Sequence, residues 1–183
     1  ISENKDYTII PTYFSKDISL IQQEYRQENK NSSFVADLGF INGYTSSSTK
    51  KNKNIFNFFS NFKKNLELEN FNISDLNIFV ERITKDTYLK IFSDNLANST
   101  IKPSLPDRLK SGFNIFLENE EYSLSTGADI YENLTKLQSD RYQFVAPYFD
   151  FYHNPISFNY GTINISSSGS NIVDNTNNQK SRI

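Results

Sequence analysis

Phe34-Val35-Ala36-Asp37-Leu38-Gly39-Phe40 decides how this chain reads. Phe34, Ala36, Leu38 and Phe40 occupy alternate positions, and Val35, Asp37 and Gly39 fall between them. Side chains two apart share a face of a strand, so this stretch presents an apolar face and a mixed one. The same period recurs elsewhere. Tyr122, Leu124, Thr126, Ala128 and Ile130 alternate with Ser123, Ser125, Gly127 and Asp129. Leu76, Ile78 and Val80 alternate with Asn77, Phe79 and Glu81, and Ile156, Phe158, Tyr160 and Thr162 with Ser157, Asn159 and Gly161.

Extending this pattern predicts strands at 7–14, 18–28, 33–44, 54–63, 65–72, 75–84, 109–118, 121–131, 141–152 and 155–166. No helix is expected. Tight turns are expected at Ser15-Lys16-Asp17, Asn29-Lys30-Asn31, Glu118-Asn119-Glu120 and His153-Asn154. Longer polar connections are expected at 44–54, 93–108 and 133–140, and everything after Ser166 is expected to be polar connection as well. Short turns alternating with long loops is the habit of outer-membrane barrels. The expected fold is all-β, an antiparallel meander forming part of a large transmembrane β-barrel. A soluble β-sandwich or β-helix binding module, such as an adhesin, has similar patterning and stands as the alternative. Pro11 and Pro147 interrupt expected strands, where a missing N–H favours an edge or a bulge.

Composition narrows the reading. The chain has 183 residues, 16 Phe and 11 Tyr, and no Cys, Met or Trp. Aromatic content is 15%, yet mean hydropathy is −0.58. A barrel with a polar lumen, polar loops and an aromatic outer face reconciles the two. With 19 basic and 21 acidic residues there is no basic stripe for a phosphate backbone, so no nucleic-acid partner is expected. The Lys50–Lys53 cluster beside Ser46–Thr49 reads as a solvated loop. No stretch approaches the ~20 apolar residues of a membrane helix. The start at Ile1 is read as an internal fragment, residues 1–183 being one partial barrel with no second domain.

Several features in succession resemble the LPS-assembly protein LptD family. Ile9-Ile10-Pro11-Thr12-Tyr13 runs into a turn, and the next expected strand carries Glu24-Tyr25-Arg26. Phe34–Tyr44, the aromatic Ile55–Phe62 and a strand at 76–84 follow, the last ending at Asp86-Thr87-Tyr88-Leu89. Asp107-Arg108-Leu109-Lys110-Ser111 and Tyr142-Gln143-Phe144-Val145-Ala146-Pro147-Tyr148 complete the series. The resemblance spans residues 6–165 by order and spacing. The family's periplasmic domain, the rest of its barrel, its cysteines and girdle tryptophans are missing.

The resemblance implies a translocon in the cell outer membrane that takes lipopolysaccharide to the outer leaflet without making or breaking a bond. It implies no cofactor. The implied partners are lipopolysaccharide, a plug lipoprotein inside the barrel, and a periplasmic bridge protein docking through the missing N-terminal domain. It places Pro11 on a strand beside the lateral gate. Within a barrel, Asp37, Ser125 and Asn159 are expected to face the lumen, and Phe34, Leu38, Phe40, Phe158 and Tyr160 the lipid. The chemistry of catalysis is not legible. His153, the single histidine, stands without a ligand cluster in sequence and is read as a turn residue. Asp37, Asp129 and Asp150 could in principle form a glycosidase pair, but alternate polar positions are what a lumen face requires. No G-x-S-x-G, P-loop or G-x-G-x-x-G motif occurs.

Overall fold

The computed structural model of the chain describes residues 4–14, 18–45, 52–96, 99–137, 140–174 and 179–182. It is an all-β meander. The strands are β1 (Lys5–Tyr13), β2 (Ser19–Asn29), β3 (Ser32–Thr45), β4 (Asn52–Asn65), β5 (Ile73–Ile83), β6 (Arg108–Glu118), β7 (Tyr122–Asn133), β8 (Tyr142–Phe158) and β9 (Gly161–Asp174), then the short β10 (Gln179–Arg182). One helical turn, α1 (Tyr88–Ile91), lies between β5 and β6. The sheet order is β1 through β10 in chain order, with antiparallel pairing from β1 to β3 and from β7 to β10. The sheet is not closed, leaving β1 and β10 as its edges. By contact density the chain divides into two compact units, Ile1–Phe62 with Phe79–Lys110, and Lys63–Ile78 with Ser111–Ile183.

Four sequence expectations are corrected. Residues 66–72 do not form a strand, although Leu66, Leu68 and Glu67, Glu69 alternate. Asn65 Oδ1 accepts the Glu67 N–H at 2.8 Å, Ser74 Oγ accepts the Leu68 N–H at 3.1 Å, and Glu67 adopts φ 53°. An Asx-type turn thus captures backbone groups that a ladder would have used. The second correction concerns His153-Asn154, which is no turn. β8 runs on through it to Phe158, so the hairpin turn falls at Asn159-Tyr160. Asn159 and Tyr160 therefore belong to no strand face, and Tyr160 is fully exposed. The third is α1 itself, where no helix was expected, and the fourth is that β9 runs on to Asp174 and β10 follows, where polar connection was expected after Ser166. The Ser15–Asp17 turn and the Ser46–Lys51 part of the basic loop lie outside the described residues. Of the other expected turns, Lys30-Asn31 joins β2 to β3. Asn119 closes the β6–β7 turn, its Oδ1 accepting the N–H groups of Glu121 and Tyr122 at 2.9 and 2.8 Å.

β8 shows how its prolines are tolerated. Val145 and Tyr148 stand opposite Ile172 and Ser170 of β9, so three steps on one strand match two on the other. The same slip occurs between His153/Ile156 and Ile165/Ile163. Each is a bulge of one extra residue, and Pro147 and Pro155 lie within them, where a missing N–H breaks no regular rung. Each bulge also changes which parity faces which side. Phe144, Phe149, Phe151, Ile156 and Phe158 consequently share one face, with Leu124 opposite Phe151 and Thr126 opposite Phe149. The other face carries Ser125, Asp150 and Ser168 in one row and Gly127, Tyr148 and Ser170 in the next.

In the first unit one face of β2–β4 is buried. Leu20, Ile41 and Phe59 are sealed from solvent, and Leu89, Phe92 and Leu96 of the segment that includes α1 are buried as well. The opposite face is apolar and open, with Ile9, Ile21, Leu38 and Phe40 between 39% and 55% exposed. Replacing Phe59 by Ala should destabilise the protein by about 3–5 kcal/mol, because it empties a filled site. Tyr160→Ala in the exposed turn should change stability by less than ~0.5 kcal/mol. Urea midpoints of the two variants check this contrast.

Candidate functional site

Two features of the first unit define the site: the free edge of β1 and a cleft on the buried side of β1–β3. Pairing along β1 and β2 is unbroken, with Ile10, Pro11 and Thr12 opposite Gln22, Ile21 and Leu20. The Phe14 N–H donates to Ile18 O at 2.9 Å, and the Glu28 N–H to Asn4 O at 2.9 Å. Both bonds belong to the same register as the Cα partners of β1 and β2. Hydrogen-bonded and non-hydrogen-bonded pairs alternate in an antiparallel ladder. Even-numbered residues of β1 therefore bond to β2, and Pro11 falls in a non-hydrogen-bonded pair. Its nitrogen points to the open side of β1. Pro11 costs the β1–β2 ladder nothing and removes one donor from the free edge.

Residues 85–96 fold over the buried face of the same unit. Tyr88 is wholly buried and donates its hydroxyl to Asn57 Oδ1 at 2.5 Å. It fits because Gly39 has no side chain: a Cβ there would lie 2.1 Å from Asn57 Oδ1 and 2.6 Å from the Tyr88 hydroxyl oxygen. Tyr88 also packs on Phe92, with ring centroids 5.2 Å apart. Burial pushes the Tyr88 phenol up from its ordinary pKa, and the Asp37 carboxylate adds to the shift. On the far side of this anchor, Gln22 Nε2 donates to Asn95 O at 2.7 Å and ties the segment to β2. Gln22 and Asn95 border a cleft of about 380 Å³, lined also by Thr8 and Thr12 of β1, Glu24 and Arg26 of β2, Asp37 of β3, and Asp94. Arg26 and Glu24 pair at 2.7 Å. Asp37 is 5% exposed, and its Oδ1 has no hydrogen-bond partner.

In the second unit a more open cleft is lined by Asp129, Tyr148, Asp150, Ser168 and Ser170. Asn114 Nδ2 donates to Ser125 Oγ at 2.8 Å beside it. Gly127 leaves room for Tyr148, whose hydroxyl would lie 2.8 Å from a Cβ at that position.

Of the residues singled out from sequence, Asp37 lies on the buried, polar face of β3, and Phe34, Leu38 and Phe40 lie on the opposite face. Ser125 shares a face with Asp150 and Ser168, and Phe158 shares one with Phe149 and Phe151. Asn159 and Tyr160 are in the turn. His153 sits in β8, its Nδ1 2.7 Å from Asn154 O. Among the described residues, no group of three His, Cys, Asp or Glu side chains could hold a metal. Sequence reasoning missed Asn57 and the roles of Tyr88 and Gly39. Asp86-Thr87-Tyr88-Leu89 stood out as a motif but was placed at a strand end, whereas it opens the inward segment. No family model, curated protein or solved structure matches the chain.

Tyr88→Phe should cost about 1–3 kcal/mol, because it leaves the buried Asn57 carbonyl without its donor. The raised phenol pKa fixes the pH dependence. Stability from the neutral phenol is fully present below the ordinary tyrosine pKa of about 10, and it is lost as pH rises beyond that value. Alkaline titration of the unfolding midpoint should show this loss in the native protein and a smaller one in Tyr88→Phe.

Proposed function

We propose that the chain supplies early strands of a transmembrane β-barrel in the outer membrane, and that this barrel delivers lipopolysaccharide to the outer leaflet. The observation that carries the reading is Pro11, in regular register on an edge strand with its nitrogen turned to the open side. Pro147 and Pro155, by contrast, sit in bulges, where proline is merely accommodated. A proline that weakens only the outer edge of β1 suits a seam that opens sideways to lipid.

Other features support the same reading. Strands β1 to β9 run from 9 residues in β1 to 17 in β8, enough for the roughly 9–11 that a tilted strand needs to cross hydrocarbon. A row of exposed aliphatic and aromatic side chains covers one face of β1–β3, and such a surface needs lipid or a partner to cover it. Turns at 30–31, 119–121 and 159–160 alternate with longer connections at 84–107 and 134–141, as in barrels with short periplasmic turns. The polar face would take the saccharide and the plug lipoprotein, and the periplasmic bridge would dock outside this chain. The order and spacing of the family-like motifs favour lipopolysaccharide as the cargo.

Losing one or two rungs, each worth about 0.5–1.5 kcal/mol net, makes transient opening several-fold to roughly a hundredfold easier. Pro11→Ala in the full-length protein should therefore slow surface delivery of lipopolysaccharide, measured with outer-membrane permeability in the same cells. Unchanged delivery, even with other seam prolines replaced, refutes the gate. Placement in the membrane has its own check, because the chain contains no Cys. A cysteine at Lys136 should react with an impermeant maleimide on whole cells, and one at Lys30 only after the outer membrane is breached.

A further inference from the structure

The cleft on the inner face of β1–β3 is built around an unanswered carboxylate. Around it, Arg26 pairs with Glu24 at 2.7 Å and Gln22 donates to the Asn95 carbonyl at 2.7 Å, while Ser99 Oγ on the same lining is also buried without a partner. Asp37 lines this space, and its buried Oδ1 accepts no hydrogen bond. A buried carboxylate oxygen without a donor is costly, and proteins keep one where a ligand or partner completes it. The wall is also acidic, with Glu24, Asp37 and Asp94 set against the single guanidinium of Arg26. The lone acceptor and the sign of the wall call for the same occupant.

We infer that this cleft binds a cationic hydrogen-bond donor, an ammonium or guanidinium head, which donates to Asp37. A space of about 380 Å³ admits one such head with the few atoms that carry it. Thr8 and Thr12 on the β1 wall supply hydroxyls for a polar stem. The head could be carried by an amino sugar or by a basic side chain of a protein inserted beside β1, and the chemistry at Asp37 is the same in both. A metal ion does not fit, because the acidic residues here do not converge into a ligand cluster among the described residues. The inference does not depend on lipopolysaccharide delivery, since the cleft opens on the polar face whatever covers the apolar one.

The test titrates the detergent-solubilised full-length protein with two matched pairs, glucosamine against N-acetylglucosamine and arginine amide against citrulline amide, by saturation-transfer NMR or calorimetry. At least one cation should bind saturably and at least tenfold more tightly than its neutral twin, and Asp37→Asn should erase that preference. Preference for glucosamine assigns the head to a sugar, and preference for arginine amide to a protein side chain; either carries the inference. Equal binding within both pairs, no saturable binding by either cation, or a preference that survives Asp37→Asn overturns it. If Asp37→Asn fails to fold, the comparison within each pair on the native protein still decides, and Asp94→Asn should weaken the cation several-fold.

Discussion

A strand carries hydrogen-bonding groups along both edges, and each must find a partner or meet solvent. In this chain the next strand in sequence always supplies the partner, so each connection has only to turn back. That constraint explains the order of the sheet, the antiparallel ladders and the local turn chemistry at Asn65 and Asn119. It also concentrates everything unresolved by the ladder at its two ends. β1 is the end with the longer strand, and its free side is where Pro11 withholds a donor.

The faces of the sheet follow from the same geometry. Because side chains alternate, a sheet that is apolar on one side is free to be polar on the other, and both units use that freedom. In the first unit the polar side is partly filled by the chain itself. A segment anchored by Tyr88 sits against Gly39 and Asn57, and its Leu89, Phe92 and Leu96 are buried, as are Leu20, Ile41 and Phe59 of the strands. The anchor leaves a polar cleft beside the β1 edge, which puts the site with an unpaired carboxylate next to the strand with an unpaired side. In the second unit the polar side holds Ser125, Asp150, Ser168 and Tyr148, and the opposite side collects phenylalanines from β8.

Strand positions and the two-faced pattern were legible because they depend on neighbours in sequence. Phe34–Phe40 gives its faces directly, and Pro147 was readable as a strand interruption. Residues 65–72 misled because Leu-Glu alternation looks like a strand, while the competing side-chain acceptors of Asn65 and Ser74 act at the level of single backbone groups. Asn154-Pro155 looked like a turn for the same local reason. Its strand continues because Asn154 is held from across the ladder: its N–H donates to Glu121 O at 2.7 Å and its Nδ2 to Glu120 O at 2.6 Å. The Tyr88–Asn57–Gly39 anchor was illegible in principle, since three residues far apart in sequence meet only after the sheet has formed. The lone acceptor of Asp37 belongs to that class too.

The two bulges of β8 act as single-residue phase shifts in a code of period two. Between Tyr148 and His153 the odd positions share the face that even positions hold before Val145 and beyond Ile156. Losing either extra residue would leave the strand long enough to pair, yet it would turn every side chain beyond that point inside out. Losing both would restore the phase while shortening the strand by one dipeptide step. Length variation in such a strand is therefore expected to come in pairs. Homologous strands aligned by hydropathy alone will drift out of register wherever one bulge has been gained without the other.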